Sequence, residues 1–390
     1  MPGGEMRRFA GYRRPDDSVG VRNHVLVLSP TGLTSAAAQR IANLVTGAIA
    51  VTSGYGRGQV GDDAQLHFDT LAGLARNPNV AAVLVVSAAD AITEPYLDAL
   101  RDAGKPADGL SLPAVDEDAL TLVDRGVRIV TRLARAASRA RRDNCTLADL
   151  FVAAECGHSD ATSGLVCNPL TGRLCEAVVA AGGRAVFSET VEWTGAEHLL
   201  ARRAATPEIA QRIVETVMLR ERAVRESGGD IRAQNPGPQN RTGGLTTIEE
   251  KALGAIAKGG EQPIHGVLRP AQRPAAPGLY LMDTPYFSPE SMTAMVAAGA
   301  QIVVFTTGAG NSYCSALAPT FKVSANRDAC ARLREQIDFA ATGALDGTVP
   351  FDDIAASALD ALLDVASGTL TYGEIVGEGA EVESRLGPSI

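Results

Sequence analysis

Short, unbroken apolar runs alternate with segments of helical period, and this constrains the chain more than any other feature. His24-Val-Leu-Val-Leu-Ser29 and Val80–Val86 have strand length and no polar interruptions. A strand that is apolar throughout, rather than at every second residue, is buried on both faces. Ala48–Thr52 is a second strand between them. Helical spacing fills the gaps: one helix is expected over Ser35–Val45, another over Asp62–Arg76, opening on acids and closing before Asn77-Pro78. Helices over Glu94–Ala103 and Glu117–Arg141 flank a short strand near Leu110–Val115. Repeated strand–helix units of this kind build a parallel sheet covered by helices on both faces.

A second run of such units starts near residue 148. Phe151–Ala154 and Ala185–Ser188 read as strands. Thr206-Pro207 opens a long helix, with Thr as cap and Pro in the first turn, and Gly228-Gly229 ends it. Asn235–Gly244 is a loop and Gln262–Gly278 an extended connection. Leu279–Asp283, a helix over Pro289–Ala298 and Ile302–Thr306 complete another strand–helix–strand unit, and the residues after Gly377 form a tail or edge segment. The fold class is therefore α/β, with two parallel-sheet, three-layer regions: a Rossmann-like one over 1–145 and a second over 146–390. Active-site loops are expected at the strand carboxyl ends, where open parallel sheets bind ligands. Loops from both regions are expected to converge on one water-poor cleft.

Composition removes several classes of function. A length of 390 residues fits two or three domains of roughly 100–200 residues each. A formal charge of −9 and an aromatic content of 4% argue against a nucleic-acid binder, which needs basic surface and stacking platforms. The arginines of Arg135–Arg142 sit where a helix ends and suit its dipole. No run approaches the ~20 apolar residues of a membrane span, and Met1–Arg8 lacks an apolar signal core. The six cysteines show neither Cys-x-x-Cys nor zinc spacing. Reduced thiols and a cytoplasmic location are the expectation.

Chemistry concentrates in two blocks, Glu155-Cys-Gly-His-Ser-Asp-Ala-Thr-Ser-Gly164 and Ser188-Glu-Thr-Val-Glu-Trp-Thr-Gly-Ala-Glu-His198. Each follows an apolar strand, and unpaired buried polar groups cost roughly 1–3 kcal/mol each, so such crowding points to a polar ligand. Ser159, Asp160 and Thr162 also suit helix capping. Glu155 and His158 have no capping task, and Cys156 is either a small apolar residue or a thiolate ligand. Paired acids among Glu189, Glu192 and Glu197 provide a base near neutrality, or simply an acidic helix start.

Gly56-Arg-Gly-Gln-Val-Gly61 has dinucleotide-fingerprint spacing but follows the second strand, after a lengthened turn. It reads instead as a tight turn or an anion-holding loop centred on Arg57. Thr246-Thr-Ile-Glu-Glu-Lys251 is largely explained by capping. Phe305-Thr-Thr-Gly-Ala-Gly-Asn-Ser312 offers hydroxyls and amides to carboxylate or polyol oxygens.

Together these blocks resemble the altronate/galactarate dehydratase family, over nearly the whole chain. The likeness runs through Gly11–Asn23, Tyr55-Gly-Arg-Gly-Gln59, Asn77-Pro-Asn-Val80, Glu155–Asp160, Ser188–Glu192, Gly195–His198, Gly243–Lys251 and Phe305–Gly308. The large subunit of sulfolactate sulfo-lyase, which expels sulfite, is similar too. The resemblance implies a lyase that removes water by β-elimination from a hydroxylated carboxylic (sugar) acid, giving a 2-keto-3-deoxy acid. The alternatives are a sulfite-releasing lyase and a non-catalytic acid- or subunit-binding member.

By the same resemblance, Glu155, Asp160, Glu192 and His198 are candidates for proton transfer, and His158, an imidazole that titrates near neutral pH, is a further candidate on its own chemistry. Cys156, Glu189 and Glu197 are candidates for holding a divalent metal (Fe2+, or Mn2+/Mg2+), without a firm division between base and ligand. Arg22, Arg57, Ser159, Thr306, Thr307 and Gly308 are candidates for gripping the substrate. Two departures stand out. The family commonly carries cysteines at the strand ends of the first region, where this chain has Pro30–Thr34, Ser53–Arg57 and Ser87–Asp90, which favours a harder metal there. His158 stands where the family usually has glycine. The small domain that many relatives carry before Gly11 has no counterpart in the ten residues preceding it here, so either a separately encoded small subunit or a function that dispenses with one is expected, together with assembly into a homo-oligomer.

Overall fold

A computed structural model describes residues 7–387; residues 1–6, most of the stretch read for a signal core, lie outside it. Its strands form three sheets. In the first region β3 (His24–Ser29), β4 (Ala48–Thr52), β5 (Val80–Ser87) and β6 (Ala107–Ser111) make a parallel sheet in the order β4-β3-β5-β6. Its continuous apolar strands have the cause inferred from the sequence. Val25 and Val27 pack with Ile41, Leu122 and Val130 on one face, whereas Leu26 and Leu28 pack with Leu71, Leu74 and Tyr96 on the other. Successive side chains of a strand leave on opposite faces.

The second region holds a seven-stranded parallel sheet. Its members are β8 (Phe151–Cys156), β9 (Arg184–Phe187), β10 (Ile264–Leu268), β11 (Gly278–Met282), β12 (Ile302–Thr306), β13 (Thr320–Ser324) and β14 (Phe339–Ala340), ordered β10-β11-β9-β8-β12-β13-β14. One face is covered by the Asn168–Ala180 and Phe351–Ala366 helices, and the Ser288–Ala297 helix lies on the other. That helix packs against the Gly61–Arg76 helix of the first region, so one apolar core spans both sheets. The two helices approach closely at Gly73, where a Cβ would meet the Ala297 carbonyl oxygen at 2.4 Å. No helix among the described residues is long and apolar enough to cross a membrane.

The fold departs from expectation where local chemistry intervened. The strand near Leu110–Val115 stops at Ser111, because Pro113 has no N–H for a ladder and starts a 3-10 turn instead. The Asn235–Gly244 loop contains a one-turn helix, Pro238–Thr242, and the Gln262–Gly278 connection supplies the edge strand β10. A small antiparallel sheet of β1 (Arg8–Arg13), β2 (Val19–Gly20) and β7 (Asp143–Thr146), in the order β2-β1-β7, had no counterpart in the sequence reading.

Arg22, expected at the substrate, is instead a clamp within the fold. Its Nε and Nη2 donate to the two carboxylate oxygens of Glu374 at 2.6 and 2.8 Å, and it also reaches the carbonyls of Val365 and Thr369, both at 2.9 Å. These bonds tie the N-terminal segment to the C-terminal helices and leave the guanidinium no donor for a ligand. Arg22→Ala should therefore cost about 3–5 kcal/mol, the range for stripping one partner from a buried ion pair, measured by urea unfolding. Turnover per folded molecule should stay within a few-fold of the parent.

Candidate active site

In the seven-stranded sheet the chain leaves central β8 first to one side, for β9, and later to the other, for β12. The carboxyl end of β8 therefore borders a crevice of the kind in which parallel sheets bind ligands. The last two residues of β8 are Glu155 and Cys156, both fully or almost fully buried. As neighbours on a strand they face opposite ways. Glu155 Oε2 accepts hydrogen bonds from Ser291 Oγ at 2.6 Å and Ser188 Oγ at 3.2 Å, and its Oε1 is buried without a hydrogen-bond partner. Cys156 Sγ lies 3.3 Å from carboxylate oxygens of both Glu189 and Glu192.

A tight turn after β9 delivers those two acids. Glu189 adopts φ 72°, in the left-handed region that costs a non-glycine residue energy. The surroundings over-determine this conformation. Glu189 N donates to Thr284 Oγ1 at 3.1 Å and Thr190 Oγ1 to Asp283 at 2.6 Å. Trp193, fully buried, donates its indole N–H to Ser188 O at 3.2 Å and packs edge-on against Phe187. The turn is thus fixed by an aromatic plug and the end of β11.

Opposite the acids stand two lysines that sequence reasoning did not assign to the site. Lys251 lies on the Ile248–Ile256 helix, which Thr247 caps by accepting Glu250 N. Lys258 lies on the 3-10 turn that continues it. Seven residues is two helical turns, so both ammoniums leave on one side. Lys251 Nζ reaches Glu192 Oε1 at 2.6 Å, with Asn235 and Asn240 as further acceptors at 2.8 and 3.2 Å. Lys258 Nζ pairs with Glu189 Oε2 and lies 3.2 Å from Cys156 Sγ. The next residue must be glycine for this approach, because a Cβ on Gly259 would meet the Phe187 ring at 2.3 Å.

Burial, then Glu189, pushes the Glu155 carboxyl well above the usual range, and burial with the neighbouring acids does the same to the Cys156 thiol. Glu189 is also raised, by burial and then by Glu192. Burial presses upward on Glu192 too, yet the Lys251 and Lys258 ammoniums, with the hydrogen bonds from Lys251 and Cys156, together outweigh it and hold that carboxyl low. Both lysines are held high against the cost of burial, Lys251 by Glu192 and Lys258 by the negative charge of Glu189 and Glu192. With Glu155 and Cys156 neutral, two carboxylates face two ammoniums and the cluster carries no net charge. Cys156 Sγ and one oxygen each of Glu189 and Glu192 also lie within 4.8 Å of one another, so this buried group could hold a metal ion. A thiol with two carboxylates suits a borderline-soft divalent cation.

The cluster opens into a cleft of about 480 Å³. Cys156, Glu189, Glu192 and Lys251 form its floor, and the side chains around them include His158, Gln239, Asn240, Tyr286, Asn311 and Tyr313. Every lining residue falls between 156 and 313, so among the described residues no loop of the first region reaches this cleft, contrary to the expected convergence. Arg57 is exposed on the loop after β4 and does not line the cleft.

The remaining expected residues divide. Ser159 lines the cleft and gives its carbonyl to Asn240. His158 stands exposed at the rim with φ 51°, its Nδ1 2.8 Å from Gly310 O. Asp160 performs the capping task, accepting from Thr162 Oγ1 and Ser163 N, and from Asn326 Nδ2 at 2.8 Å. The Thr306-Thr307-Gly308 loop packs behind it: Thr306 Oγ1 donates to Asn168 Oδ1, Thr307 Oγ1 accepts from Gly310 N, and a Cβ on Gly308 would strike Asp160. Glu197 accepts from Gly195 N and His198 is exposed, both on the short Glu197–Ala201 helix outside the cleft. Glu192 therefore takes the place in the three-donor group that was expected of Glu197.

A buried, charge-balanced set of acids, a thiol and amines beneath a polar cleft is the equipment of an enzyme that moves protons on a small polar molecule. Residues 147–388 match the family described as D-galactarate/altronate dehydratase, C-terminal, and residues 11–138 match D-galactarate dehydratase/altronate hydrolase, second domain. The chain is 37% identical to (2R)-sulfolactate sulfo-lyase subunit beta of Chromohalobacter salexigens, over 97% of this chain and 98% of that one. It is 31% identical to the altronate dehydratase of Bacillus subtilis, over 95% of this chain and 76% of that one. To the galactarate dehydratase (L-threo-forming) of Escherichia coli it is 34% identical, over 64% of this chain and 47% of that one. The chain belongs to the D-galactarate/altronate dehydratase family, an enzyme family of the hydro-lyase class.

Lys258→Met should leave Glu189 buried without its cation and cost about 3–5 kcal/mol. Combining it with Glu189→Gln should recover at least about 1 kcal/mol in a double-mutant cycle read by denaturant unfolding; strict additivity would mean that the pair is not coupled.

Proposed function

We propose that this chain catalyses β-elimination of water from a hydroxylated carboxylic acid, leaving a 2-keto-3-deoxy acid. The observation that carries the reading is the opposite tuning of two neighbouring carboxylates on the cleft floor, Glu189 upward and Glu192 downward. Environments that push paired groups apart divide acid–base labour. Glu189, raised toward neutrality, takes the proton α to the substrate carboxylate. Glu192 stays ionised and fixes the Lys251 ammonium at the floor, where it grips the carboxylate and stabilises the negative charge that grows there. Lys258 and protonated Glu155 back Glu189 from behind the cleft. His158, at the rim, is placed to give the departing hydroxide a proton. The amide-rich wall, with Asn240, Asn311 and Gln239, matches a substrate bearing several hydroxyls.

Cys156, Glu189 and Glu192 would hold a divalent cation, Fe2+ or Mn2+ rather than Mg2+ given the sulfur donor, and its chemistry there is Lewis-acid polarisation of the substrate carboxylate. A second subunit is part of the reading too, supported by the relative named as a subunit beta. A second leaving group, sulfite, is favoured by the near-complete coverage of that same relative; losing sulfite demands no proton donor at the rim.

The test is product analysis with purified protein, with and without Fe2+ or Mn2+, on a panel of sugar acids and on sulfolactate. The expected result is 2-keto acid without sulfite. Sulfite in equal amount selects the second leaving group, and no turnover on any member of the panel overturns both. Glu189→Gln should lower kcat by about 10²–10⁴-fold with the fold intact, and metal content measured on the same sample separates loss of a base from loss of a ligand.

A further inference from the structure

The strand ends of the first sheet form a crevice of their own, and a carboxylate occupies it. β3 ends at Ser29-Pro30 and β4 runs into Ser53, where ligands of parallel sheets are expected. The occupant comes from the far end of the chain. Glu383 accepts from Ser53 Oγ, and its other oxygen lies 2.6 Å from His67 Nδ1. His67 Nε2 lies 3.1 Å from Pro30 O. Both ring nitrogens face oxygen atoms, one of a carboxylate and one of a carbonyl. The side chains of His67 and Glu383 are only 9% and 8% exposed. A hydroxyl and a buried imidazole around one carboxylate make a built anion site.

The segment carrying Glu383 has further anchors on both sides of that contact. On one side Glu381 accepts from Thr293 Oγ1 and Ala316 N, both at 2.9 Å, and Val382 N donates to Thr293 Oγ1 at 2.9 Å. On the other, Leu386 N donates to Asp63 Oδ1 at 2.9 Å, and Arg385 lies over the Tyr55 ring and 3.6 Å from the second Asp63 oxygen. The same strap touches the catalytic wall. Tyr313, which lines the cleft, donates to Ala380 O at 2.7 Å. The Ser288–Ala297 helix carries Glu290 and Thr293, which bond the strap, and Ser291, which bonds Glu155.

We propose that this crevice is a second, regulatory carboxylate site, filled in this structure by Glu383. A free small carboxylic acid competes for Ser53 and His67, and release of the strap is felt at Glu155 through the Ser288–Ala297 helix. The inference stands whichever group leaves in catalysis.

Acetate is the probe, with chloride as the ionic control, on the full chain. Glu383→Ala should gain a saturable rise of about 2 °C in its unfolding midpoint with acetate but not chloride, and the double variant with His67→Phe should lose it. In the unaltered protein, acetate should speed hydrogen exchange of the Val382 and Leu386 amides while leaving β8 protected. Indifference of Glu383→Ala to acetate, an equal response to chloride, or a response that survives loss of His67 would each overturn the proposal. If Glu383→Ala does not fold, the exchange experiment decides alone: faster strap exchange supports the site and unchanged exchange refutes it.

Discussion

Two buried ammonium–carboxylate pairs, Lys258 with Glu189 and Lys251 with Glu192, let the rest of the cleft floor exist. A lone buried ion costs several kcal/mol even after relaxation, and a pair recovers that only with good geometry and further hydrogen bonds. Here the acids come from a turn held by Trp193 and the end of β11, the amines from a single helix, and the thiol between them from β8. Each element fixes one partner of a contact whose other partner lies on a different element. The left-handed backbone at Glu189 is tolerable for the same reason, because it is held by its own bonds to Thr284 and Lys258 and by that of the next residue, Thr190, to Asp283.

The fold was legible where burial dictated sequence. Strands covered on both faces had to be apolar throughout, and β3, β5 and β12 announced themselves that way. The short antiparallel sheet did not, because Arg8–Arg13 carries charge at both ends and too few apolar positions to show a period. The two polar blocks were legible as a site since each followed a buried strand. Their division of labour was not. Asp160 and Cys156 lie four residues apart in one block, yet one caps a helix and the other meets two acids, a difference decided by which way the chain turns after Gly157.

Lys251 and Lys258 were hidden by blander explanations. Lys251 closes a stretch that capping accounts for, and Lys258 precedes Gly259-Gly260, where a helix-ending lysine suits the dipole. The signal available was their seven-residue spacing, with only apolar and glycine residues between them, beside an excess of clustered acids. Arg22 misled in the opposite sense. Its fork suits a ligand carboxylate, but Glu374, a partner 352 positions away, supplies one from within the chain. Partnerships across such distances are not encoded in local pattern.

Lys251 on the Ile248–Ile256 helix and Lys258 on the 3-10 turn that continues it lie two turns apart, and this ties their fates. Rolling that helix by the width of one residue, about 100°, would carry both cations off their acids in the same stroke. The floor then behaves as a cam, engaged or disengaged as a whole, and anything that grips the outer flank of Ile248–Ile256 holds the handle.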